Sequence, residues 1–574
     1  MKSAFYLSLT LMLAGLASAD PGNKSPDLHN VSGSAPVQVV IQFKSAPDAA
    51  TLSALGVKGA AQVHAYKHVQ GGVFSVPASA LDDISKLGKV KYVSKDRPLH
   101  GHLDVSTATV NANIAYQYGW TGKGIGVAVI DSGIAPNLDD LEVSGGWNPP
   151  SRVVYSQSFI DNTPNDLYGH GTHVAGIIGG NGADSSGPAA TRTFRGVAPQ
   201  VNLINLKALD ANGMGTDSSV IAAIDAAIDL KNTYNIRVIN LSVGRAVYES
   251  FQTDPLCQAV EQAWQAGIVV VVAAGNDGRD NSHGNQGYGT INSPANDPFV
   301  ITVGAMKSEG TKTRADDLIA SYSSKGPTLF DHIVKPDILA PGNRVASLRA
   351  PFSTLDLAFP QNRVAPSSYG ANGYAANYFV MNGTSMATPV VSGAAALLLQ
   401  KNPSLTPDQV KARLMKTATK TFPTLSAATD PATHITYTDR YDIFTVGAGY
   451  IDTWAALSNN DTVSGYALSP TALYNSANKS VVVVADSSPL TNSIAWGNSI
   501  AWGDSVIWGT TNLVGSTSIA WGSSIAWGDS IALASSIAWG DSTLAGFNAI
   551  WNTSIAWGDG SAVTEKAVDM NGED

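Results

Sequence analysis

The chain has 574 residues, 14% of them charged, a formal net charge of -10 and a single cysteine, Cys257. With no run of Lys and Arg, this acidic balance argues against a nucleic-acid footprint or a basic membrane-binding face. One thiol excludes an intrachain disulfide and a cysteine-based metal site, and in the helix-like stretch Leu256 to Trp264 it reads as a small buried residue. In chain order, Lys2, the apolar run Ala4 to Leu16 and the small residues Ala17-Ser18-Ala19 read as a secretory signal peptide over 1–19, too short to span a bilayer comfortably. No other stretch is long and apolar enough for a span. A linker rich in Pro, Gly, Ser and Asn follows over 20–36. Residues 37–104 then alternate as a small α+β unit: strand Val37 to Phe43, a helix after Pro47, two strands around Val63 to Val76, helix Ala78 to Leu87 and strand Val90 to Ser94.

From about residue 106 to 457 strands and helices alternate, which argues an α/β fold with a mostly parallel central sheet and helices on both faces. Strands are expected at Gly126 to Ile130, Asn202 to Lys207, Val238 to Ser242, Ile268 to Ala273 and Val300 to Val303. Helices are expected at Gly171 to Ile178, Ser218 to Lys231, Asp254 to Ala266, Thr388 to Gln400 and Thr406 to Lys416. Sites on such sheets gather beyond the carboxyl ends of the strands. There the run Gly126 to Ile130 ends in Asp131-Ser132-Gly133, a buried strand delivering a carboxylate. Gly169-His170-Gly171-Thr172-His173 sets an imidazole among small residues as a helix begins. Val269 to Ala273 leads into Ala274-Gly275-Asn276-Asp277. Finally, Asn382-Gly383-Thr384-Ser385-Met386-Ala387-Thr388-Pro389 holds a hydroxyl at the mouth of a buried helix, where oriented N–H groups favour a nucleophile, so Ser385 is the candidate.

These words, and the order Asp, His, Ser, resemble the subtilisin-like serine proteases over roughly residues 106–457. The resemblance implies a secreted endopeptidase in which Ser385 attacks the scissile carbonyl, His170 is the base, Asp131 orients it and Asn276 donates to the oxyanion. His173 is then a packed, hydrogen-bonded neighbour. Ser242-Val243-Gly244 and Ala273-Ala274-Gly275 would wall the primary specificity pocket, and Gly213-Met214-Gly215 would pair with the substrate backbone as an added strand. Small uncharged walls suggest large apolar or broad specificity. The unit at 37–104 looks like the family's inhibitory propeptide, cut between His100 and Ser106. Substrates are proteins or peptides, the propeptide is the inhibitor, and the chemistry needs no cofactor. Asn137-Leu138-Asp139-Asp140 and Asp277 to Asn281 read as solvated turns, with structural calcium the alternative the family allows. Two departures stand out. Val390 follows Pro389 where the family usually has histidine, implying a packing change, and Arg349 to Tyr378 is longer than usual, expected to form a loop or small subdomain near the cleft.

Gly447 to Leu457 reads as the close of the catalytic domain, and 458–493 as a linker or small strand region. From Ile494 to about residue 560 the hexapeptide Ser-Ile-Ala-Trp-Gly-Asp recurs with variants, its tryptophans spaced by six or twelve residues and once by thirteen. An even repeat puts each Ile and Trp on one face of an extended chain, and Gly-Asp or Gly-Asn pairs are tight-turn signals. A β-rich tail follows, either a solenoid or stacked small hairpins. It serves as a module binding a surface or substrate, or as a spacer. Two rivals to the protease reading are an adhesive protein centred on these repeats and a catalytically silent relative.

Overall fold

Val39, Ile41 and Phe43 alternate with more exposed neighbours along Pro36–Phe43, the period of a strand with one face on a core. The computed structural model describes residues 23–484 except 25–27, 29, 30, 32, 34, 66–69, 96–102, 144–148, 283, 284, 372–375, 431, 432, 463, 464 and 476–479, together with 501, 502, 506, 507, 570, 572 and 573. The chain divides into two units, Met1–His100 and Gly101–Asp574. In the first, β1 (Pro36–Phe43), β2 (Ala61–Ala65), β3 (Gly71–Pro77) and β4 (Val90–Lys95) form an antiparallel sheet of order β2-β3-β1-β4. Its core joins β1 to Leu55 of helix Ala49–Val57 and to Leu81 and Ile84 of helix Leu81–Ser85. Asp48 caps the first of these helices, accepting from the Thr51 N–H. The second is shorter than the expected Ala78 to Leu87, because Ala78–Ala80 is a 3-10 turn entered from Pro77.

The second unit is built on an eight-stranded sheet. Its strands are β5 (Gly126–Asp131), β6 (Val153–Ser158), β7 (Asn202–Lys207), β8 (Ile236–Leu241), β9 (Val269–Ala273), β10 (Ile301–Lys307), β11 (Leu318–Ile319) and β12 (Ile338–Pro341). The order is β11-β10-β9-β8-β5-β7-β6, with β12 paired to β10; only β11 runs antiparallel. All six residues of β5 are buried, as a parallel strand covered on both faces requires. Helices His170–Gly179 and Thr384–Lys401 pack on each other and on the sheet, and so do Asp217–Asp229 and Pro255–Gln265. Cys257 lies in the last of these, fully buried beside the Asn296 side chain at 3.3 Å, and burial pushes its thiol pKa up.

In this unit, expected strand and helix ends agree within a residue or two except at the serine helix, which starts at Thr384 rather than Thr388. The strand expected at Val300 to Val303 also runs on to Lys307. Strands β6, β11 and β12 carry no clean period in the sequence. The stretch Gly447 to Leu457 ends in helix Thr453–Ser458, and the region expected as linker or strand holds an antiparallel hairpin, Thr471–Asn475 with Ser480–Val484. The signal peptide over 1–19 lies outside the described residues, as do most of the hexapeptide repeats. Of these, Ala501–Trp502 and Val506–Ile507 pair as two short antiparallel strands. Among the described residues no helix is long and apolar enough to cross a membrane.

Candidate active site

Asp131 is the last residue of β5 and His170 the first of its helix; both are buried. His170 Nδ1 lies 2.7 Å from Asp131 Oδ1, which also accepts from the Ser132 N–H at 2.7 Å. A carboxylate oxygen only accepts, so Nδ1 carries the proton and Nε2 is left as the basic nitrogen. The strand end and the helix start meet closely because residue 171 is glycine: a Cβ there would stand 2.3 Å from the Gly133 carbonyl oxygen. Asp166, which stands outside the motifs named above, splints the two. It accepts from Ser132 Oγ at 2.8 Å, the Gly169 N–H at 2.7 Å and the Thr172 N–H at 2.8 Å. Burial pushes its pKa up, against these bonds. An acid four residues before a helix start was the available signal. His173 is indeed packed: its Nε2 reaches the carbonyls of Val345 and Phe379, both at 3.0 Å, and burial lowers its pKa to about 3, so it stays neutral.

Ser385 is the second residue of helix Thr384–Lys401, entered through Gly383 at φ 128°. Proline inside a helix removes the N–H that would bond the carbonyl four residues earlier. For Pro389 that carbonyl belongs to Ser385, and Ser242 Oγ donates to it at 2.8 Å instead. The serine helix therefore starts a full turn before Pro389, at Thr384, rather than beside it at Thr388, which corrects the expected boundary. The Ser385 hydroxyl in turn donates to the Ser242 carbonyl at 3.3 Å. Val390 is fully buried in the core.

Asn276 follows β9. Its Oδ1 accepts from both the Thr384 N–H at 2.9 Å and Thr384 Oγ1 at 3.1 Å, which fixes which end of the amide is oxygen. Its Nδ2 is buried and has no hydrogen-bond partner among the described residues. Thr384 thus aims the donor, a role that no local motif announced. Ser242 to Gly244 and Ala273 to Gly275 sit at the carboxyl ends of β8 and β9; Ser242 is turned to the Ser385 backbone, Val243 is half-buried, and a Cβ on Gly275 would collide with Asn292 Nδ2 at 2.7 Å. Gly213-Met214-Gly215 forms a separate turn, closed by the Met214 N–H donating to Asp210 Oδ1 at 3.0 Å, with Gly213 against the Tyr168 ring and Met214 exposed.

The long segment Arg349 to Tyr378 lies, as expected, beside this site. Thr354 and Leu355 N–H groups donate to Leu167 and Tyr168 carbonyls, both at 2.9 Å, and Thr354 Oγ1 donates to Ala211 at 2.7 Å. Asp356 clamps the segment between Arg349 Nε and Arg363 Nε, each at 2.7 Å. Burial pushes the Asp356 pKa up, and these two cations more than reverse it. Phe352 and Leu357 stay exposed at its rim. Among the described residues no group of three or more His, Cys, Asp or Glu assembles to hold a metal ion. Asp140 spends its oxygens on Tyr378 and the Asp184 N–H, each at 2.8 Å, and Asp277 hydrogen-bonds Asn292.

A family model, the Subtilase family, matches residues 122–436, more than half of the chain. The chain belongs to the subtilase family. This subtilase is 40% identical over 354 residues to Serine protease AprX of Bacillus subtilis strain 168, covering 60% of this chain and 73% of that protein. It is 32% identical over 422 residues to Subtilisin E of the same organism, covering 72% and 92%, and 34% identical over 382 residues to an Extracellular serine proteinase of Thermus sp. strain Rt41A, covering 65% and 76%. It is a subtilisin-like serine endopeptidase, a hydrolase.

Proposed function

We propose that this subtilase cleaves peptide bonds through Ser385, His170 and Asp131. Ser385 Oγ attacks the carbonyl carbon and gives its proton to His170 Nε2. Asp131 holds the ring by its Nδ1–H and stabilises the imidazolium that forms. The oxyanion is received by Asn276 Nδ2 and the Ser385 N–H, which lies in the first helical turn. His170 then returns the proton to the leaving amine, and water hydrolyses the acyl-enzyme. No step calls for a cofactor. The observation that carries the reading is the buried His170–Asp131 pair at 2.7 Å, in a helix packed on the one that bears Ser385. Ser242 to Gly244 and Ala273 to Gly275 are read as pocket walls, and Gly213 to Gly215 as the strand that pairs with substrate. Large apolar or broad preference follows from the small walls.

The extracellular name of the Thermus relative supports export, with 1–19 as the signal. Residues 37–104 act as the inhibitory propeptide of 106–457, and the division of the chain between His100 and Gly101 falls within the stretch proposed for the cut. The repeats over 494–560 bind a surface or substrate. Labelling the processed enzyme with a fluorophosphonate should place one adduct on Ser385, and Ser385→Ala should leave the precursor uncut and inactive. An adduct elsewhere, or undiminished hydrolysis by that variant, would overturn the triad.

A further inference from the structure

Far beyond the sheet, Met570, Gly572 and Glu573 are buried in the second unit. Met570 joins the main apolar core, and its carbonyl accepts from Asn362 Nδ2 at 2.9 Å. Both ends of the Asn343 amide engage Glu573: Nδ2 donates to the Glu573 carbonyl at 2.8 Å, and Oδ1 accepts from the Glu573 N–H at 3.1 Å. This is the pairing a neighbouring strand would give. The Glu573 carboxylate, fully buried, accepts from the Ser321 N–H at 3.0 Å, from Ser321 Oγ and from Arg279 Nη2 at 2.8 Å. Arg279 Nε also braces Ser321 Oγ at 2.8 Å. A buried carboxylate is tolerated only with such a set of charge-assisted partners. Gly572 has φ 61°, and a Cβ there would lie 2.2 Å from Asn382 Oδ1, itself held by the Arg344 N–H at 2.6 Å. Size, charge and backbone are therefore all read at one place.

We propose that the catalytic unit carries a docking site for its own residues Met570–Glu573, a Met-x-Gly-Glu peptide read by Asn343, Ser321 and Arg279. The residues that read the peptide are none of those assigned to the triad, the oxyanion or the pocket walls. The consequence is topological. The stretch 485–569 leaves from hairpin Thr471–Val484, which is fixed by the Ala472 N–H donating to the His332 carbonyl at 2.7 Å, and it returns to the same unit, so the repeats are fastened at both ends.

Amide hydrogen exchange on the full chain carrying Ser385→Ala, which prevents self-digestion, tests this. The Glu573 and Ser321 amides should exchange on the order of 10²-fold or more slower than an unstructured reference. Glu573→Ala and Gly572→Val should each speed Ser321 exchange while amides of β5 and β8 stay protected. A synthetic acetylated peptide spanning 568–574 should restore Ser321 protection to the Gly572→Val chain, and the same peptide with alanine at position 573 should not. Reference-rate exchange of 569–574 in the unsubstituted segment, or a Ser321 amide indifferent to both substitutions and to peptide, would overturn the proposal; the first of these needs no substitution in the segment or its site.

Discussion

Ser385 is framed by hydrogen bonds that tie the start of its helix to the ends of β8 and β9. Ser242 Oγ fills the gap left by Pro389, and Thr384 turns the Asn276 amide, so each is a positioning residue. Ser242→Ala should lower kcat about tenfold, the worth of one lost hydrogen bond of ~1–1.5 kcal/mol, with KM nearly unchanged. Under the proposed mechanism Asn276→Leu should lower kcat by about 10²–10³-fold, the size measured for loss of one oxyanion-hole donor in subtilisin, and again spare KM; steady-state kinetics on a short peptide checks both. The placement of Asp131, His170, Asn276 and Ser385 at or just beyond strand and helix ends was legible because each stands in a local word. Asp166, Thr384 and the bonding of Ser242 were not: their meaning lies in contacts across up to 143 positions.

At the scale of elements, the parallel strands were legible as short apolar runs, because burial on both faces leaves no polar face to show. Strand β6, half-exposed, and the four-residue β12 lacked that signal. The serine helix was misplaced at its start because proline is a common first helical residue, and only the three-dimensional partner of the freed carbonyl shows why this one sits inside. The Arg349 to Tyr378 segment hangs on Asp356. Asp356→Ala leaves Arg349 and Arg363 without their shared acceptor, a loss of ~2 kcal/mol that should appear first as faster tryptic cleavage at those two residues. If the segment restricts access, the variant should gain on large protein substrates relative to a short peptide, read as the ratio of kcat/KM values.

Across the whole molecule, buried acids set the pH response. Burial raises Asp140, Asp277 and Asp442 to about 6 and Asp317 to about 7. Between about pH 4 and these values the folded chain holds protons that the unfolded chain has already released, so the stability these groups contribute falls as pH rises through that window. Asp140→Asn should flatten this part of the profile by at most ~3 kcal/mol, measured as the change in Tm between pH 4 and 7. Groups such as Asp356, whose pKa is lowered, act in the opposite sense at lower pH. None of this was legible from composition, since an acidic chain reveals neither which carboxyls are enclosed nor what meets them. Enclosure of the one thiol, Cys257, has a practical side. Maleimides find no native target on the folded enzyme, so a thiol engineered at exposed position 214 would accept a single dye, and a change in its emission on adding peptide would test the proposed role of this turn in real time.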